Sequence, residues 1–385
     1  MSAGRGTRGL RLAFFGLSLT SSWGNGHATT YRGLLGGLRS RGHLIDFFER
    51  DVEWYATHRD LPCPPQARLH LYADWARQRA HALEVAHAAD AVVVGSYYPD
   101  ALPLLDALLA RPHPPVCFYD IDTPVTLQAL QRRQCTYLRT DLIPEFGMYF
   151  SFTGGPVLNE LCTRWGARRS APLYCACDVH EYVPRVQTPD RFLGRSRDQT
   201  PRSDAVLSFL GTYAPDRDAK LNRLLLEPAR RLPQLRFRVA GPMYPATAAW
   251  PANVAYTSHL PPASHAGFYA SARFTLNLTR QAMVESGYSP SIRLFEAAAC
   301  ATPIISDPWP GLNEFFRPGR EILVAEDTSQ LIDTILHVNA DDARDLGRAA
   351  REHVLAHHTG EHRAIELERY VHELCTPALS TVTDK

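Results

Sequence analysis

The sequence predicts an α/β protein built as two doubly wound halves that face each other across a cleft. Three observations carry that reading. The chain has 385 residues, too many for one ordinary core and enough for two of about 180 each. Short continuous apolar runs alternate with stretches of helical apolar spacing, the pattern of a parallel sheet covered on both faces. Residues 182–204, YVPRVQTPDRFLGRSRDQTPRSD, are rich in Pro, Arg, Asp and Ser, lack periodicity and read as an exposed linker. The division that follows is an N-terminal domain over 1–185, a linker over 186–203, a C-terminal domain over 204–355 and a helix over 356–385 that could cross back to the first domain.

In the first half the strand candidates are 10–17 (LRLAFFGL), 44–49 (LIDFFE), 91–95 (AVVVG), 116–121 (VCFYDI), 147–152 (GMYFSF) and 173–179 (LYCACDV). Helical spacing separates most of them, as in ADWARQRAHALEVAHAA and VLNELCTRWG. The second half supplies 205–211 (AVLSFLG), 237–241 (FRVAG), 254–258 (VAYTS), 274–279 (FTLNLT), 302–307 (TPIISD) and 321–325 (EILVA). Two such sheets bind ligands at the carboxyl ends of their strands, so the cleft between them is the expected site.

Composition narrows the function. A formal charge of +1 gives no global field to draw nucleic acid or an anionic membrane. The start, MSAGRGTRGLRLAFFGLSL, has a basic lead and a short apolar run but no small-x-small cleavage site, so it reads as a strand and not an export signal. No run of ~18 apolar residues appears. The eight cysteines are scattered, and Cys175 and Cys177 read as alternate faces of a strand without the second pair a metal site needs. The expectations are a cytoplasmic protein with reduced thiols, no bound metal and no cofactor.

The stretch 287–307, GYSPSIRLFEAAACATPIISD, carries the most chemistry. Ser289 and Pro290 read as an N-cap and first helical residue, with the helix running to about Cys300. A helix N-terminus favours an anion, and Arg293 adds a cation suited to phosphate oxygens. Glu296, a turn deeper, can accept from two adjacent hydroxyls such as those of a ribose. Ala297, Ala298 and Ala299 let the helix lie close on the sheet before the strand TPIIS. A nucleotide needs this order of groups; an amphipathic helix with an Arg–Glu surface pair fits the spacing equally well.

This stretch resembles the donor-site signature of GT-B glycosyltransferases, LFEALACGTPVI. NLTRQAMVESGYSPSIRLFE and the N-terminal SSWGNGHATTYRGLL resemble the spore-maturation CgeB-type branch of that group. The resemblance covers most of the chain. It implies two Rossmann-like domains of the GT-B type and a nucleotide-sugar donor held by the second half, with Ser289, Ser291, Ile292, Arg293 and Glu296 in contact. Many retaining members carry a second glutamate eight positions before the first; here that place is Tyr288, and the usual Gly of ACGTP is Ala301.

Other loops join the same cleft. Gly211, Thr212 and Tyr213 end a strand where backbone can approach a phosphate, and Arg217 can reach the same group. Gly241 and Tyr244 end the next strand, and by resemblance His259 and Leu260 contact the base. Arg280 after NLT is a second candidate cation for the diphosphate. On the acceptor side, Gly24, Asn25 and Gly26 permit a tight turn before His27; the third Gly of a dinucleotide fingerprint is missing. Inverting members of the resembled group use a His on this loop as base, oriented by an Asp at the end of a later strand. FYDIDTPVT offers Asp122, in a loop, and Asp120, finishing the strand. A neutral imidazole is a base near neutral pH, and the carboxylate fixes its tautomer; helix capping is the competing role for both side chains. Tyr97, Gly154 and Gly155 complete the acceptor-side set.

The reading is a metal-independent glycosyltransferase, inverting, with His27 as base and an acceptor that is a glycan, lipid, protein or small molecule. Two others stay open: a nucleotide-sugar epimerase on the same fold, marked by donor consumption without acceptor, and a non-catalytic two-lobed ligand-binding protein.

Overall fold

The computed structural model describes residues 9–24, 26–185 and 205–376. The linker expected at 186–203 lies outside these residues. Seven strands form the first sheet: β1 Arg11–Phe15, β2 Leu44–Arg50, β3 Arg68–Tyr72, β4 Ala91–Gly95, β5 Val116–Asp120, β6 Met148–Ser151 and β7 Ser170–Pro172. Six form the second: β8 Ala205–Leu210, β9 Phe237–Ala240, β10 Val254–Thr257, β11 Ala272–Asn277, β12 Ile304–Ser306 and β13 Leu323–Val324. The orders are β3-β2-β1-β4-β5-β6-β7 and β10-β9-β8-β11-β12-β13, and the paired strands run parallel. Each order reverses once, between β1 and β4 and between β8 and β11. Loops leaving those strands diverge, and the crevice between them is where such sheets hold ligands.

The strands are apolar because both faces are covered; β4 and β5 are buried along their whole length. The edge strand β3, RLHLY, was not among the expected strands. Its exposed Arg68 and partly buried His70 break the apolar run, and its signal is weak because only one side of it is paired.

Three other expectations change. Residues 173–179 do not continue β7. They run as irregular chain between the halves, and Cys175 and Cys177 are both buried, their thiols against the carbonyls of Pro290 at 3.5 Å and Phe295 at 3.4 Å. The two cysteines therefore share one environment and do not lie on alternate faces of a strand. The helix of the 287–307 stretch spans Ile292–Ala299 with Ser291 as N-cap, two residues later than expected, because Tyr288 to Pro290 are held by contacts with the first half. The C-terminal tail is two helices, Ala340–His357 and Gly360–Cys375, broken at Thr359, which caps the second in a capping box with His362.

The last helix lies on the helix His27–Ser40 that follows β1. A Cβ on Gly37 or Gly360 would overlap the other helix's backbone, so the two backbones touch. Arg41 and Glu368 pair at 2.5 Å beside that contact.

Candidate active site

The carboxyl ends of both sheets open onto one cavity of about 500 Å³. From the second half come three arginines. Arg293, at the start of its helix, is buried; it donates to the Leu210 carbonyl, to Asn277 Oδ1 at 2.9 Å and to Ser291 Oγ at 3.3 Å, and lies over the Phe209 ring at 4.8 Å. Arg217 donates to the Thr212 carbonyl, and its pKa is pushed down to about 10 by burial and then by Arg293. Arg280 sits 3.5 Å from Asp216. A Cβ at Gly211 would stand 2.6 Å from Arg293 Nη2, so glycine at the end of β8 leaves room for the guanidinium. Ser291 makes no side-chain capping bond, which leaves the first-turn N–H groups beside the arginines for an anion.

Glu296, one turn deeper, accepts from Tyr182 at 2.9 Å and Tyr269 at 2.8 Å, one tyrosine on each oxygen, with His265 Nδ1 at 3.9 Å. Burial beside this carboxylate raises the pKa of both phenols, so they stay as donors. Each carboxylate oxygen keeps a second acceptor position. Tyr182, Tyr269 and His265 were not foreseen. Tyr182 falls in a stretch that looks like linker, and nothing local in the sequence marks it as buried.

From the first half comes His27, the first residue of its helix and 6% exposed. Its Nε2 faces Asp122 Oδ2 at 4.0 Å, beyond hydrogen-bond length, and its Nδ1 is buried with no partner among the described residues. Tyr97, in the left-handed region at φ 62°, sets its ring edge to face against His27 at 5.4 Å. Gly24, Gly26, His259, Leu260, Thr212, Gly241, Ser289 and Ile292 also line the cavity, along with Thr29, Thr30, Tyr55 and Met283, which sequence reasoning did not single out. Asn25 lies outside the described residues.

Five candidates sit elsewhere. Asp120 points under the sheet, fully buried, accepting from Tyr149 at 2.6 Å and Thr126 at 2.7 Å. Between the two aspartates, Asp122 is the one at the cavity. Tyr213 and Tyr244 meet at a tilt, 5.3 Å apart, in an aromatic cluster that includes Trp250 and Tyr256, away from the lining. Gly154 and Gly155 make contact between the halves: Gly154 N–H donates to the Tyr288 carbonyl at 2.9 Å. The Tyr288 ring is clamped between Gly155 and Gly311, both at positive φ, where a Cβ would overlap it. The position eight before Glu296 is therefore filled by a side chain that joins the two halves.

Burial raises the pKa of Asp120 to about 6, so the neutral form is favoured in the fold. That contribution is complete below the unfolded pKa near 4 and is lost as pH rises through 6. Asp120→Asn removes it. The stability of the variant relative to wild type is expected to rise by on the order of 2–3 kcal/mol between pH 4 and 7. Urea unfolding across that range checks this, and a pH-independent difference would mean that Asp120 stays ionised.

Residues 217–369 match the family model described as glycosyl transferase-like. Among solved structures, the chain is similar to sucrose-phosphate synthase from Thermosynechococcus elongatus, at 14% identity and TM-score 0.67 over 95% of this chain and 99% of that one. It is similar to HepE from Anabaena in complex with UDP and glucose, at 11% identity and TM-score 0.66 over 94% and 100%. An alpha-glucosyltransferase in complex with UDP-glucose and DNA containing an abasic site follows at 12% and 0.65, over 94% and 100%. The fold is GT-B. No curated protein matches the chain. In this GT-B arrangement the glycosyl transferase-like segment holds the three arginines and Glu296, and the opposite wall brings His27 and Asp122. No helix among the described residues is long and apolar enough to cross a membrane.

Proposed function

We propose that the protein is an inverting glycosyltransferase that takes a nucleoside diphosphate sugar and passes the sugar to an acceptor bound by the first half. The observation that carries this is one cavity with an arginine cluster and helix N-terminus on one wall and an imidazole–carboxylate pair on the other. The acceptor hydroxyl attacks the anomeric carbon on the face away from the diphosphate. Its proton passes to His27, and the bond to the diphosphate oxygen breaks. Arg217, Arg280 and Arg293 compensate the charge on the leaving group, so the reading invokes no metal. A hydroxyl seated between His27 Nε2 and Asp122 would reach both, which suits their 4.0 Å separation without ligand. The motifs at 21–35 and 277–296 support assignment to the CgeB-type branch. The eight free thiols suit a reducing cytoplasm.

Two of the similar structures hold UDP or UDP-glucose, so UDP-sugars are the first donors to test. UDP at a hundredfold excess over Kd is expected to stabilise the native protein by about 2.7 kcal/mol. Glu296→Ala should weaken that binding by ~10–150-fold through loss of charge-assisted bonds to the ribose. Because the change also frees the buried Tyr182 and Tyr269 hydroxyls, Glu296→Gln serves as the control for folding. Unchanged nucleotide affinity in the folded variants would remove Glu296 from the donor site.

A further inference from the structure

Away from the arginines, the turn before His27 and the short helix Glu53–Ala56 bring aromatic rings together at the mouth of the cavity. Trp23 meets Trp54 edge to face at 4.5 Å, lies against His58 at 4.5 Å and 30°, and faces His259 of the other half at 6.4 Å. Trp54 is 52% exposed, the one aromatic among the large exposed hydrophobics of the described residues. The group is continuous with the cavity, because Ser22 and Gly24 on either side of Trp23, and Tyr55 beside Trp54, line it.

The rim around these rings is polar. Asp60 accepts from the Ser22 N–H at 2.7 Å and from Arg32 at 2.6 Å, Asp51 pairs with Arg59, and the Thr57 hydroxyl meets His58 at 2.9 Å. A hydrocarbon chain would need a continuous apolar groove, and the rim's Arg32 and Arg59 are already paired with Asp60 and Asp51, so they offer little to an anionic headgroup. A pyranose ring presents an apolar C–H face bordered by hydroxyls, which matches an indole face with hydrogen-bonding groups at its edge. We propose that Trp23 and Trp54 form an acceptor subsite for a neutral sugar ring, which makes the acceptor a saccharide. This rests on the transferase reading and narrows it. Covering roughly 100 Å² of exposed indole supplies enough for ~10-fold or more in affinity.

The test is saturation-transfer NMR on the full chain with maltotriose, cellotriose and chitotriose, each with and without UDP. At least one triose is expected to receive saturation at its ring C–H protons. Trp54→Ala should weaken that triose by ~10-fold or more, Trp54→Phe should hold it within about threefold, and UDP affinity should be the same in all three proteins. No transfer to any triose in a wild type that binds UDP overturns the subsite, as does equal affinity in Trp54→Ala. Failure of the wild type to bind UDP or any other nucleoside diphosphate would instead overturn the transferase reading, and the acceptor role with it.

Discussion

His27→Ala is expected to slow sugar transfer by about 10²–10⁴-fold, the range for loss of a positioned general base, while nucleotide affinity stays nearly unchanged. The split follows from placement. His27 opens the helix after β1 and faces Asp122 of the first half, whereas the arginines and Glu296 belong to the second half. Asp122→Asn should slow turnover as well, by removing the charge that favours protonation of the imidazole in the transition state. Turnover and nucleotide binding are to be measured separately on the same protein samples. A folded His27→Ala enzyme with near-normal turnover would eliminate His27 as base and point to Asp122 alone or to a retaining course.

Arg293→Ala is expected to weaken nucleoside diphosphate binding by about 10–100-fold and nucleoside binding hardly at all. The guanidinium stands at a helix start between Arg217 and the strand ends, where a diphosphate's oxygens would meet it. The substitution also strips donors from the Leu210 carbonyl and Asn277, which costs about 1–3 kcal/mol of stability, so thermal unfolding must accompany the titration. Arg293→Lys should recover charge without the planar fork and regain only part of the affinity. Equal losses for nucleoside and diphosphate would make Arg293 a structural residue of the β8–β11 junction.

The sequence made the sheet strands and their reversal points largely legible, because buried parallel strands are apolar on both faces and their loops carry Gly, Arg and His. β4 stands out as an uninterrupted apolar run and β8 as one broken only by Ser208, while Arg293, His27 and Asp122 lie at strand or helix ends where local pattern places them, with Glu296 a turn into its helix. What was hidden is tertiary. Tyr182 reaches Glu296 from 114 positions away in the chain, and no local periodicity encodes that approach. The Tyr288 clamp depends on Gly155 and Gly311 arriving on opposite sides of one ring, a coincidence of three separate loops. β3 escaped because an edge strand needs little hydrophobicity. The helix start moved by two residues because Ser289, which reads as a cap, is instead buried against Thr153 of the other half at 2.9 Å.

The seating of the last helix on the first one has a consequence for biosynthesis. While the chain is being made, the face of the helix His27–Ser40 that carries Gly33 and Gly37 must wait for the backbone at Gly360 and the helix it opens. The N-terminal half therefore leaves the ribosome with one helix face whose partner is made last, and that contact closes only when the final helix arrives. Stalled translation, or cleavage within the final helix, would leave that face uncovered. The two halves share the chemistry of one cleft, and through this helix they also share a single moment of completion.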